Sequence, residues 1–143
     1  MVEQKQFADG SYGLQGDSTG GQGEFIPVAA VYSATSAATQ SIFTASRNYI
    51  VKDISGRVDV AGTGGACTIV FYSAPSGTAI ASGTLLASTT FNVAGTVNTK
   101  QSLTLSAVAS NLIVAAGSSI GYVITGAATS AVGSLSVALA PSN

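Results

Sequence analysis

Six acidic side chains, five basic ones, one cysteine and five tyrosines are the titratable groups of this chain, which has no histidine. Serine and threonine are abundant, yet acyl transfer through a hydroxyl needs a base within hydrogen-bond reach, and the absence of histidine removes the usual triad. A Ser-Lys pair would have to use Lys52 or Lys100, and neither sits in a Ser-x-x-Lys setting. The hydroxyls read instead as turn and outward-facing strand chemistry. Paired carboxylates for glycoside hydrolysis must stand about 5 to 9.5 Å apart. The obvious pair, Asp53 and Asp59, is separated by six residues, roughly 20 Å along a continuous strand. Only a sharp fold at Gly56 would bring them together, so an exposed Arg57–Asp59 ion pair is the expectation. The run Gly62–Gly65 lacks both a following helix and a Gly-Lys-Ser/Thr tail, so it is a turn rather than a phosphate cradle. Cys67 has no second thiol and no histidine with which to bind zinc, and no clustered acids suggest a calcium loop. No catalytic residue, cofactor site or metal site is expected, and the chain reads as a non-enzyme.

Composition points the same way. Of 143 residues, 46% are apolar and 8% charged, with a formal net charge of -1. Such sparse charge recruits neither nucleic acid nor an anionic membrane. It also lowers the barrier to self-association, so much of the surface is expected to be covered by neighbours. A single cysteine cannot close an intrachain disulfide. The start Met-Val-Glu-Gln-Lys-Gln lacks the basic and apolar regions of a signal peptide, and no run approaches the roughly 20 apolar residues that span a bilayer. The expectation is a product made and used in the cytosol, or assembled there into something larger.

Two regions follow in order. Residues 1–24 hold Glu3, Asp9, Asp17 and Glu24 against Lys5 alone, a balance of -3, whereas the remainder is +2. They carry Gly10, Gly13, Gly16, Gly20, Gly21 and Gly23 but few large apolar anchors. Such a segment cannot close a core, and reads either as a solvating tail or as an extended glycine-rich arm that orders against a partner, with Phe7, Tyr12 and Leu14 as its candidate partner-binding residues. From residue 25 to 143 the pattern is all-β. Strands are expected at Phe25–Ser33, Gln40–Ala45, Asn48–Ala61, Cys67–Tyr72, Thr84–Val93, Asn98–Ser106, Leu112–Val114, Ile120–Gly126 and Gly133–Leu139. In the longest, Ile50, Lys52, Ile54, Val58 and Val60 share one face by strict alternation, and Gly56 marks a bulge or bend at a sandwich corner. Cys67, Ile69 and Phe71 share an inward face, making the thiol buried and inert. Asn111–Gly126 reads as a hairpin turned at Gly117. Tyr32, Tyr49, Tyr72 and Tyr122 are dispersed, and each reads as a core or rim aromatic with a satisfied hydroxyl. Together these describe a two-sheet antiparallel sandwich of about eight strands, jelly-roll-like, with an N-terminal arm.

The pattern of Leu103–Leu105, Leu112–Gly117, Ile120–Gly126 and Val132–Leu139 resembles the last strands of the decoration, or cement, proteins that coat tailed-bacteriophage heads. The resemblance covers Lys100–Pro141. It implies a jelly-roll-like body, homo-oligomers with trimers frequent, and an extended arm touching the major capsid protein. It further implies no enzymatic activity and a place on the virion surface after synthesis in the host cytoplasm. The alternative is a phage fibre or spike module, or a carbohydrate-recognition sandwich; a sugar site would call for exposed aromatic faces, and the chain has no tryptophan.

Overall fold

A computed structural model describes residues 25–34 and 37–142. Ten strands are formed: β1 (Ile26–Ala34), β2 (Ala38–Thr44), β3 (Tyr49–Val60), β4 (Cys67–Ala74), β5 (Thr84–Leu85), β6 (Phe91–Asn92), β7 (Lys100–Ser102), β8 (Ile113–Val114), β9 (Ser119–Gly126) and β10 (Ala131–Pro141). Two 3-10 turns, Ile80–Ser82 and Ala109–Leu112, are the helical pieces among the described residues. All the strand ladders are antiparallel. Strands β1, β10, β3 and β7 form one sheet in that order, with β8 also on β3. Strands β2, β9, β4 and β5 form the other, with β6 also on β4.

The pairs nest. β1 lies on β10, β2 on β9, β3 on β7 and β8, and β4 on β5 and β6, so the chain is a long double-stranded ribbon folded over on itself, which is the jelly roll. Counting β5 with β6 and β7 with β8 gives the eight strands expected. β5 and β6 replace the continuous run expected at Thr84–Val93, and β7 occupies only part of the run expected at Asn98–Ser106, while β8 lies in the one expected at Leu112–Val114.

Nesting also corrects the reading of Asn111–Gly126. β8 pairs with β3 in one sheet, whereas β9 pairs with β2 and β4 in the other, so the two apolar runs are not a hairpin. The segment between them is a corner of the folded ribbon, where the chain crosses the sandwich. Gly117 has φ +86 as a turn requires, and its N–H donates to the Ala45 carbonyl at 2.7 Å. The Ala45 N–H donates to Ser118 O at 2.8 Å, and the Ala116 N–H to Asn48 Oδ1 at 3.0 Å. Each strand of the ribbon thus turns the corner bonded to the other.

The faces of β3 differ from strict alternation because of two bulges. Leu139 pairs with Val51 but Ala138 with Asp53, which leaves Lys52 extra; Gly133 pairs with Val58 but Val132 with Val60, which leaves Asp59 extra. The first shifts parity, so Tyr49 and Val51 point inward before it, and Ile54, Gly56 and Val58 after it. Lys52 is exposed and Val60 half-exposed, contrary to the expected face.

Gly56 is not a bend, since its pairing to Leu135 and Gln101 is unbroken. It makes room: a Cβ there would lie 2.5 Å from Phe91 Cε2 and 2.8 Å from the Ser134 carbonyl oxygen. Phe91 meets Tyr32 edge-on, with ring centroids 5.5 Å apart, and Tyr32 in turn lies over Gly133, its cross-strand partner. Around this stack are buried Ile54, Ile69, Leu86, Ile120, Leu135 and Leu139, contributed by both sheets. Replacing Gly56 by alanine should lower stability by about 1–3 kcal/mol through overpacking. At Gly77, where φ is +87 and a Cβ meets nothing within 4 Å, alanine should cost about 1 kcal/mol from backbone strain alone. Urea unfolding of the two variants checks the order.

Candidate partner-binding site

The candidate chemical residues do not converge. Asp53 lies opposite Ala138 and Asp59 in the second bulge, at the two ends of an unbroken stretch of β3. Arg57 Nε donates to Asp59 Oδ1 at 3.0 Å with both side chains about half exposed, and its Nη2 donates to Asn98 Oδ1 at 2.7 Å. This is the surface ion pair expected, of little energetic weight. Among the described residues no group of three His, Cys, Asp or Glu side chains could hold a metal ion. Gly64 and Gly65 take positive φ in the turn between β3 and β4. Cys67 is 1% exposed beside Ile69, and burial pushes its thiol pKa up, which keeps it protonated and unreactive.

Tyrosine placement bears on sugar recognition. Tyr32, Tyr49 and Tyr122 are buried and Tyr72 is half-buried, so these rings are packing groups and not an exposed platform. One departs from the sequence reading: the Tyr32 hydroxyl is enclosed and has no hydrogen-bond partner among the described residues. Its ring position over Gly133 carries the hydroxyl into the core at a desolvation cost of about 1–3 kcal/mol. Burial first, then the negative charge of Asp59, with a smaller electrostatic contribution from Cys67, pushes its pKa up to about 12.

The side of the sandwich decides the binding surface. At the β5–β8 side the two sheets are stitched together. Gln101 Oε1 accepts from the Asn92 N–H at 2.9 Å, and Gln101 Nε2 donates to Asn92 O at 2.8 Å, an amide taking the place of a neighbouring strand. Ser88 N–H donates to Thr104 O and Ser106 N–H to Leu86 O. At the other side β1 and β2 are the outer strands of their sheets, and among the described residues no ladder joins them. Neither carries a charged residue. All the charged residues between positions 25 and 142 are on β3 and β7 or are Arg47. Val31, on β1, is the most exposed large apolar residue described, at 79%. A shallow hollow of about 350 Å³ beside it is lined by Ala29, Ala30, Val31 and Ser134. A second hollow, of about 490 Å³, is lined by residues that include Ser41, Thr44, Ser76, Thr78 and Ser119 together with Ala74, Pro75 and Ile80.

The sequence reading named the arm residues Phe7, Tyr12 and Leu14, which lie outside the described residues. It missed the open β1–β2 side, although the charge-free run from Phe25 to Ser46 after the arm was its available signal.

No protein-family model matches the chain, and no curated protein matches its sequence. Among solved structures, one similar chain comes from work on Bacillus endospore appendages, described as a novel family of disulfide-linked pili. It is 20% identical with a TM-score of 0.42, over 92% of this chain and 98% of that one. Another belongs to the infectious bursal disease virus Gx strain, 19% identical with a TM-score of 0.31, over 82% of this chain and 33% of that one. Among the described residues no helix is long and apolar enough to cross a membrane.

Two measurements test the interior of the site. A thiol reagent should leave native Cys67 unmodified and label it on unfolding. Tyr32→Phe should leave stability unchanged or raise it by up to about 1 kcal/mol, since an unpaired hydroxyl is removed. The raised pKa sets the sign with pH: stability is complete below the ordinary value of 10 and is lost as pH climbs toward about 12. The Phe variant should lose less over that range, as alkaline denaturation would read.

Proposed function

We propose that this chain is a non-enzymatic structural protein of a virion, which decorates an assembled phage capsid and stabilises it by bridging neighbouring capsid subunits. The observation that carries this reading is the one-sided jelly roll: a stitched, charged side opposite an open side of two charge-free outer strands. The glycine-rich arm leads directly into one of those strands. Main-chain edges of this kind take a strand from a partner, and the partner proposed for the β2 edge is the major capsid protein. Binding to the assembled shell alone favours the assembled state by mass action. A homo-oligomer makes later contacts intramolecular, so that individually weak contacts hold. The arm supplies Phe7, Tyr12 and Leu14 as anchors in this mechanism.

A second reading, a fibre, spike or carbohydrate-recognition module, is favoured by the hollow, lined in part by serine and threonine, between β2 and the loop after β4. A wall with no charged group suits a neutral polyhydroxy ligand, and glycan-array binding by the isolated protein would support that reading.

Deleting residues 1–24 should leave the far-ultraviolet circular dichroism and unfolding midpoint of the body unchanged and weaken co-sedimentation with purified heads. Undiminished occupancy of the heads by the truncated protein refutes the role of the arm.

A further inference from the structure

We infer that the β1 edge is a self-pairing surface, on which two copies of this chain join through their β1 strands in antiparallel register about Ala30. The inference rests on the reading of the chain as a self-associating structural protein but not on its attachment to a capsid.

A two-fold axis sets like against like, so any charge on a self-pairing strand near the axis meets its own kind. Ile26–Ala34 has none, and its neighbour in the sheet, Ala131–Pro141, has none either. Natural proteins protect long outer strands with lysines, with breaks or by covering them. The β5–β8 side shows such protection, through strands of two or three residues and the Gln101 clamp. β1 runs for nine residues, with Pro27 near one end leaving the middle free of interruption.

Shape adds the register. Ala29 and Val31 both point to the outer face of the sheet and are exposed. Antiparallel pairing about Ala30 places Val31 of each copy opposite Ala29 of the other. That is where the hollow lined by Ala29, Ala30, Val31 and Ser134 lies. The most exposed apolar side chain and a cavity to receive it are thus on the same edge, as a self-complementary contact demands. The two five-stranded sheets become one of ten strands. The two copies of Ile26 lie at opposite ends of the paired strands, roughly 30 Å apart for nine residues.

The test uses the free full-length protein without heads, so that failure to bind a capsid and failure to self-pair are read separately. Sedimentation equilibrium should give a mass twice that of the 14.0 kDa chain or an even multiple of it. Val31→Lys, with unchanged circular dichroism because the site is exposed, should weaken association about ten-fold or more. In a C67A background, Ala30→Cys should form an intermolecular disulfide on oxidation. Ser33→Cys should not, because antiparallel pairing about residue 30 sets the two copies of position 33 roughly 20 Å apart. A monomer or a simple trimer, a mass unaffected by V31K, or equal cross-linking at positions 30 and 33 overturns the inference. So does association that appears only once residues 1–24 are removed, since the chain's own arm would then occupy the edge.

Discussion

One residue too many in β3 decides which half of that strand is wet. Lys52 has no partner of its own on β10, and the parity change it introduces turns Ile54, Gly56 and Val58 toward the second sheet and Asp53 and Arg57 away from it. Without it the same alternation would aim two charges into the core, a cost far above the stability of a domain this size. The rest of the packing follows: Gly56 inward gives Phe91 its seat, Phe91 meets the edge of Tyr32, and Tyr32 closes over Gly133. Both aromatics therefore sit against glycines, and the interior is filled by rings that reach across the space a Cβ would otherwise take.

Much of this was legible in the sequence at the level of strands. The alternation of Cys67, Ile69 and Phe71 and the turn glycines Gly64, Gly65 and Gly117 carry local signals, and each lies where those signals put it. Sheet membership was not legible. The apolar runs on either side of Gly117 look like a hairpin because proximity in sequence is the available cue. In a nested ribbon the partner of β8 is β3, more than fifty residues earlier. The bulges were equally hidden, since an extra residue has no signature apart from the pairing it interrupts. The same holds for the Tyr32 hydroxyl, left unpaired by a ring position that only the cross-strand Gly133 explains.

The candidate site shows the complementary limit. Elimination of chemistry proceeds residue by residue from the sequence, because histidine, a second cysteine and clustered acids are absent from the chain as written. The β1–β2 side required the fold. Charge-free strands are common inside sheets, and only the order β1-β10-β3-β7 and β2-β9-β4-β5 reveals that these two are outermost and stacked on one side. Segregation of charge to β3, β7 and Arg47 is likewise a statement about space, invisible in a count of six charged residues between positions 25 and 142.

The amide of Gln101 has a consequence for growth. A sheet open at both ends can add copies without limit, and its product is a fibre. Here Asn92 already spends its main-chain donor and acceptor on a side chain of the same molecule, and the strands around it are too short to template another. The sandwich therefore extends its sheets from one side, through the outer strands β1 and β2. Contact there terminates when that side is filled.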